Sequence, residues 1–187
     1  LGLAFFCFGT NYTGVLLRLL AGERWATADA VGTLSWFCVY VMTMAFNGLL
    51  EAFVNAVADG KQVAQLAFTH SICAGVFAVL APSLMATYGT RGIVMANSVV
   101  MVVRIASSVR FTIRYFEGLS LSPALPPVGS IAAFAVAGGG CWMSELRRVR
   151  VTSSTGSWFP PMVTHVAIGA LLFFAVSAIV FILVRET

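Results

Sequence analysis

Residues 31–58 decide the fold, and they read VGTLSWFCVYVMTMAFNGLLEAFVNAVA. This apolar run is longer than the about 20 residues that a helix needs to cross the hydrocarbon core of a bilayer. It therefore predicts a membrane-spanning helix that is tilted or that extends beyond the membrane. Similar stretches recur along the chain with short polar breaks between them, so the bilayer is the solvent of this protein.

The whole chain follows the same pattern. We predict spans at 1–20, 31–58, 63–86, 93–116, 128–142 and 162–184. Of all residues 59% are hydrophobic and 10% are charged, whereas soluble domains carry about 25% charged residues. The apolar runs are continuous and do not alternate with polar residues, which argues against strands. The predicted fold class is all-α, a polytopic transmembrane helical bundle of five to six spans that forms one domain over residues 1–187.

The connections between the spans predict which helices are neighbours. The break at 88–92 is too short for anything but an antiparallel turn, so we expect the second, third and fourth spans to pack together. The fourth span finishes with Arg110 and Arg114, whose side chains can reach the lipid headgroups. The basic residues divide too evenly between the two faces to assign the cytoplasmic side.

The last two spans differ in character. The fifth is short and holds three consecutive glycines at 138–140, which either weaken the helix or allow close backbone approach. The sixth is predicted to be a plain helix that suits a lipid environment. The polar residues between these spans predict a loop that contains Glu145, Arg147, Arg148 and Arg150.

Charge and cysteine placement narrow the classes of function. The net charge is +4, and basic excess in a membrane protein usually meets anionic headgroups, so we expect membrane lipids and no nucleic acid as partners. The four cysteines are dispersed through apolar segments without a C-x-x-C pair, which predicts packing residues and no metal site. No nucleotide-binding loop, catalytic triad or metalloprotease motif occurs, so we predict no enzymatic activity and no cofactor.

Three polar residues in the second span share one helical face. Asn47, Glu51 and Asn55 follow one another at intervals of four residues. A charged group at membrane depth costs about 2.5 to 3.5 kcal/mol on insertion scales, so such groups usually face a bundle interior and find a partner. This stripe therefore predicts a polar seam inside the bundle.

The fourth span offers the matching stripe. Its polar members fall within about 20° of one another at ~100° per residue; they are Asn97, Arg104, Ser108 and Tyr115. An ion pair between Glu51 and Arg104 is the sharpest contact that the two stripes predict. Two interpretations stay open, because such groups either line a cavity or hold helices together without any substrate.

Two further features also have alternative explanations. His70, near the start of the third span, fits an interfacial hydrogen bond better than a proton relay. The cluster Arg147-Arg148-Val149-Arg150 could meet a pyrophosphate, although a solvated loop attracted to lipid headgroups explains it as well.

Several motifs resemble the Rft1 family of flippase-like proteins. AFNGLLEAF at 45–53 and VADGKQ at 57–62 are similar to that family's FNG-x-x-EAF helix and turn. GIVMAN at 92–97, followed by MVVRI at 101–105, resembles its G-x-x-x-AN…M-x-x-RI span. The resemblance covers about residues 9–116 well, and the motifs occur in family order.

This resemblance implies both an architecture and a function. It implies the C-terminal lobe of a flippase of the multidrug/oligosaccharidyl-lipid/polysaccharide superfamily, located as a multi-pass protein in the endoplasmic reticulum membrane. The implied function lies in assembly of the dolichol-linked oligosaccharide for N-glycosylation, by translocation of Man(5)GlcNAc(2)-PP-dolichol. The implied partners are this dolichol-diphosphate oligosaccharide and an N-terminal lobe of the same protein. The residues expected to bind the substrate are Asn47, Glu51, Asn55, Asn97 and Arg104.

The start of the chain predicts a fragment, and two alternative functions also fit the polar residues. Leu1 opens an apolar run without the features of a signal peptide, so we expect a fragment that begins inside a helix. One alternative function is an ion-coupled antiporter with Glu51 as its ion site, which predicts that Glu51 lies far from Arg104. Another is a scaffold of the glycosylation pathway that transports nothing.

Overall fold

The computed structural model describes residues 2–117, 126–150 and 159–185, and within these ranges the backbone is almost entirely helical. The long helices of this part of the chain are α1 (Gly2–Ala21), α2 (Ala28–Val57), α3 (Gly60–Tyr88), α4 (Thr90–Tyr115), α5 (Val128–Ser144) and α6 (Phe159–Arg185). A π-helical turn, Phe5–Gly9, lies inside α1. The predicted all-α fold class is confirmed.

Each predicted span corresponds to one of these helices. Among the described residues, α1, α2, α3, α4 and α6 are long and apolar enough to cross a membrane, which makes the chain a multi-pass membrane protein. The shorter α5, which holds the three consecutive glycines, is not among these five, and a span at 128–142 stays a prediction.

The polar loop predicted after the fifth span is wrong over its first part. Residues Glu145–Arg150 continue α5 as a π-helical segment. No glycine or proline occurs between Trp142 and Arg150, and leucine, glutamate and arginine are good helix formers, so nothing in the sequence ends the helix there. The remainder, 151–158, lies outside the described residues.

The helices form two compact units. Unit 1 contains α2, α3 and α4, and unit 2 contains α1 from Leu3 onward together with α5 and α6. In unit 2, α5 packs against α6 and against the π-helical turn of α1. The single bundle over residues 1–187 stays a prediction.

Helix α4 is the centre of unit 1, because it packs against both α2 and α3. The predicted packing of the fourth span against the second and third spans is therefore confirmed. The reason lies in the small residues that α4 presents to its neighbours: Gly92, Ala96, Ser98 and Ser108 are all buried. Small residues let helix backbones approach closely where no water drives association.

Short turns hold the three helices of unit 1 in place. Asp59 caps α3, because its carboxylate accepts the Gln62 N–H at 2.8 Å while the Gln62 side chain accepts the Asp59 N–H at 2.9 Å. At the other end, Gly89 supplies the positive φ of 63° that the α3–α4 turn requires. Arg91 then donates to the Ala28 carbonyl at 3.0 Å and ties this turn to the start of α2.

We expect Gly92→Ala to weaken unit 1, because a Cβ there would overlap the backbone of Leu84 and Met85. Overpacking of this kind costs about 1 to 3 kcal/mol. The matched control is Gly75→Ala in α3, whose added Cβ meets no atom within 4 Å. Thermal unfolding in detergent should show a lower midpoint for Gly92→Ala alone. Equal midpoints for both variants would show that α3 and α4 do not approach each other this closely.

Candidate functional site

A carboxylate–guanidinium pair joins α2 to α4 inside unit 1. Arg104 Nε donates to Glu51 Oε1 at 2.9 Å, and Arg104 Nη2 donates to Glu51 Oε2 at 2.8 Å. The planar guanidinium thus meets both carboxylate oxygens, which is the strongest geometry for such a pair. Glu51 is 16% exposed and Arg104 is 29% exposed, so neither charge is freely solvated. The ion pair predicted from the sequence is confirmed.

Helix α3 contributes His70 to the same carboxylate. His70 Nε2 lies 3.1 Å from Glu51 Oε1, and because a carboxylate only accepts, this nitrogen must carry the proton. The sequence predicted an interfacial hydrogen bond for His70, whereas its partner lies on a neighbouring helix about three turns into α3. A signal was available, since Glu51 stands 8 residues before Asp59 and His70 stands 11 residues after it, a difference of less than one helical turn.

The asparagines of the two stripes do not join this pair. Asn47 is buried, and its Oδ1 has no hydrogen-bond partner among the described residues. Asn55 is exposed and Asn97 is half-buried, and within the described ranges neither side chain makes a hydrogen bond. The structure therefore brings together two of the five residues expected to bind substrate, and the role of all five stays a prediction.

A polar cleft of about 480 Å³ opens in unit 1 where α4 ends and α3 begins. Its polar walls include Gln62, Gln65, Thr69, Ser107, Arg110 and Arg114. Ser108 and Tyr115, from the stripe predicted on the fourth span, also line it. The five predicted substrate-binding residues lie outside this lining. We call this feature the α3–α4 cleft.

Unit 2 holds a second polar cluster that sequence reasoning missed. His165 of α6 is fully buried and stacks on Tyr12 of α1 with ring centroids 4.3 Å apart. The Tyr12 hydroxyl donates to the His165 carbonyl at 2.9 Å, and Ser144 Oγ lies 3.0 Å from His165 Nδ1. The prediction that the sixth span suits a lipid environment agrees with its length and hydropathy, but it did not include this buried histidine. The signal was a histidine inside an apolar run, which costs free energy unless it finds partners.

Hydrogen bonds to both ring nitrogens and a glycine beside the cluster explain why it is tightly packed. His165 Nε2 lies 3.3 Å from the Asn11 carbonyl, which only accepts, so Nε2 carries the proton and Nδ1 accepts from Ser144. Gly169 makes room for the Tyr12 ring, because a Cβ at position 169 would overlap the Tyr12 side chain. With both ring nitrogens engaged, His165 is a structural link between α1, α5 and α6.

The ion pair between Glu51 and Arg104, called the Glu51 pair below, limits which transport chemistry this site can perform. An antiporter site needs a carboxylate free to take up a proton or cation, and that hypothesis predicts Glu51 far from Arg104. The observed two-point bond to Arg104, with His70 as a further donor, argues against it. A compensated charge pair inside apolar helices either stabilises the helices or polarises a water-filled groove.

These features define a class: multi-pass α-helical membrane proteins that keep compensated charges and a polar cleft between their spans. The sequence matches the family model described as Rft protein over residues 1–187. The chain therefore belongs to the Rft family, and the resemblance seen in its motifs is confirmed.

Two relatives show how much of the family this chain covers. It is 32% identical over 124 residues to the Man(5)GlcNAc(2)-PP-dolichol translocation protein RFT1 of Schizosaccharomyces pombe, which is 65% of this chain and 24% of the relative. It is 28% identical over 178 residues to the protein of the same name from Mus musculus, which is 91% of this chain and 31% of the relative. The chain thus spans about a quarter to a third of the length of these relatives. No solved structure matches the chain significantly.

We expect Arg104→Leu to destabilise the protein, because it leaves the Glu51 carboxylate with His70 alone. The pair is half-buried, so breaking it from one side should cost up to about 3 kcal/mol, the lower end of the range for fully buried pairs. The matched control is Arg110→Leu, which changes an exposed arginine on the same helix that forms no ion pair within the described residues. The free energy of unfolding in mixed micelles should fall for Arg104→Leu and change little for the control. Equal losses would mean that the pair contributes nothing specific.

Proposed function

We propose that this chain acts in assembly of the dolichol-linked oligosaccharide for N-glycosylation, within a protein that translocates Man(5)GlcNAc(2)-PP-dolichol across the endoplasmic reticulum membrane. The single observation that carries the proposal is family membership over residues 1–187 with relatives named for this translocation. The name describes movement of a lipid, so we assign the chain no catalytic step.

The Glu51 pair supports this proposal on physical grounds. A sugar headgroup that crosses hydrocarbon loses its hydrogen bonds to water, which costs free energy unless protein groups replace them. Polar side chains on α2 and α4 would supply such replacements along a groove while the dolichol tail stays in lipid. In this scheme Asn47, Asn55 and Asn97 bond sugar hydroxyls, and Glu51 and Arg104 exchange part of their mutual bond for the substrate.

One observation favours a second candidate, a scaffold that organises the pathway without moving lipid. Glu51 is satisfied by Arg104 and His70 within the protein, as expected for a group that only holds helices together. A scaffold needs the stability that the Glu51 pair provides, and its function never requires the bonds of that pair to break. The two candidates therefore differ in whether the charges must be able to change partners.

Leaflet transfer of labelled Man(5)GlcNAc(2)-PP-dolichol in vesicles tests the proposal. The purified full-length protein is compared with Glu51→Gln, Arg104→Gln and the control Gly75→Ala, whose site meets no neighbour within 4 Å. We expect rates at least tenfold lower for the two charge variants, about 1.4 kcal/mol of barrier, and an unchanged rate for the control. Cells that carry only each variant are scored in parallel for N-glycosylation.

Two results would contradict the proposal in different ways. Vesicles in which the parent protein transfers no lipid, although cells need it for N-glycosylation, would establish the scaffold. Full transfer by both charge variants in well-folded protein would leave translocation standing but remove Glu51 and Arg104 from the substrate path.

A further inference from the structure

The α3–α4 cleft concentrates positive charge that no carboxylate neutralises within the described ranges. Arg110 and Arg114 both line it, and their spacing of about one helical turn puts them on one face of α4. Within the described residues neither arginine has a carboxylate partner. Two like charges one turn apart repel each other by about 0.2 to 0.5 kcal/mol, and an anion bound between or beside them would relieve that repulsion.

The acidic groups near the cleft do not supply that anion. Glu117 follows Arg114 by three residues, but no ion pair joins the two side chains among the described residues. Asp59 is engaged in capping α3 through the Gln62 N–H at 2.8 Å. Glu51 is held by Arg104 on one side and by His70 on the other. The cleft arginines are therefore available to a ligand.

Neutral donors complete the site. Ser108 is fully buried where it lines the cleft, and its hydroxyl has no hydrogen-bond partner in the part of the chain that the structure describes. Gln62 uses its side-chain oxygen to accept the Asp59 N–H at 2.9 Å, which leaves its amide NH2 group to donate. A buried hydroxyl without a partner costs free energy, and a ligand rich in oxygen would relieve that cost.

The cleft lies where two membrane-spanning helices end. Arg110 and Arg114 are in the last two turns of α4, and the glutamines of the cleft are in the first two turns of α3. An aromatic cluster adjoins it, in which Phe53 stacks on Phe116 at 5.4 Å and meets Tyr115 edge-on at 5.5 Å. Arginines and aromatic rings at span ends are typical of headgroup depth.

We infer that the α3–α4 cleft binds the diphosphate of an isoprenoid lipid, with Arg110 and Arg114 on the phosphate oxygens and Ser108 donating from the buried side. This inference rests on the proposed function, because the relatives' name supplies the PP-dolichol class of ligand. A guanidinium binds two phosphate oxygens at once through parallel charge-assisted bonds, which neutral hydroxyl and amide groups do not provide. A volume of about 480 Å³ admits this headgroup while the tail stays in lipid.

Binding of farnesyl diphosphate to the full-length protein in detergent micelles tests the assignment. We expect Arg110→Gln/Arg114→Gln to weaken binding at least about tenfold, and Ser108→Ala to weaken it less, since charge-assisted bonds are the stronger ones. The charge-matched control is Arg24→Gln/Arg185→Gln, which removes two exposed arginines of unit 2. The control should bind like the parent protein.

Three comparison ligands separate the sources of binding. Farnesol should bind at least about tenfold more weakly than farnesyl diphosphate if the phosphates carry the interaction. Equal affinity for inorganic pyrophosphate would overturn the lipid assignment in favour of a free diphosphate. Equal competition by short-chain phosphatidylserine would overturn it in favour of general attraction to anionic lipid, as would equal weakening by the control pair.

The two proposals can fail separately. If the parent protein transfers lipid in vesicles but does not bind farnesyl diphosphate, the cleft assignment is wrong and the proposed function stands. If it binds the diphosphate through Arg110 and Arg114 but transfers nothing, the cleft assignment stands and translocation is wrong.

Discussion

Glu51 places a carboxylate deep within the mainly apolar helix α2, and side chains from the two neighbouring helices of unit 1 bind this charge. Arg104 donates to Glu51 Oε1 at 2.9 Å and to Oε2 at 2.8 Å, which connects α2 to the central helix α4. His70 connects α3 to Oε1 of the same carboxylate. Because a lone charge at this depth is costly, the pair favours packing in which all three helices converge. The small buried residues of α4 then allow the backbones to come close.

The same arrangement separates two kinds of charge within unit 1. The Glu51 pair is compensated and lies within the helices, whereas the arginines of the α3–α4 cleft lie at a span end and have no carboxylate partner in the described part of the chain. A compensated ion pair stabilises the packing of its helices and can make a neighbouring groove more polar. An uncompensated pair attracts an anion from outside, which is why a diphosphate headgroup suits the cleft better than it suits the pair.

Sequence reasoning succeeded where one residue's chemistry leaves few choices. Continuous apolar runs predicted the spans, and the cost of burying Glu51 predicted its bond to Arg104. It failed where the partner depends on three-dimensional packing. The buried contacts of His165 were missed because nothing in the sequence shows that Tyr12 would stack on its ring and pack beside Gly169. The cleft likewise needs the ends of α3 and α4 to meet, which periodicity within one helix does not reveal.

The most direct test of the account is a double-mutant cycle at the Glu51–Arg104 pair. The free energy of unfolding in mixed micelles is measured for the parent protein, Glu51→Gln, Arg104→Gln and the double variant. If the pair organises unit 1, each single change is costly and the double change costs less than their sum, with a coupling of at least about 1 kcal/mol. Additive losses, with no coupling, would contradict the central claim.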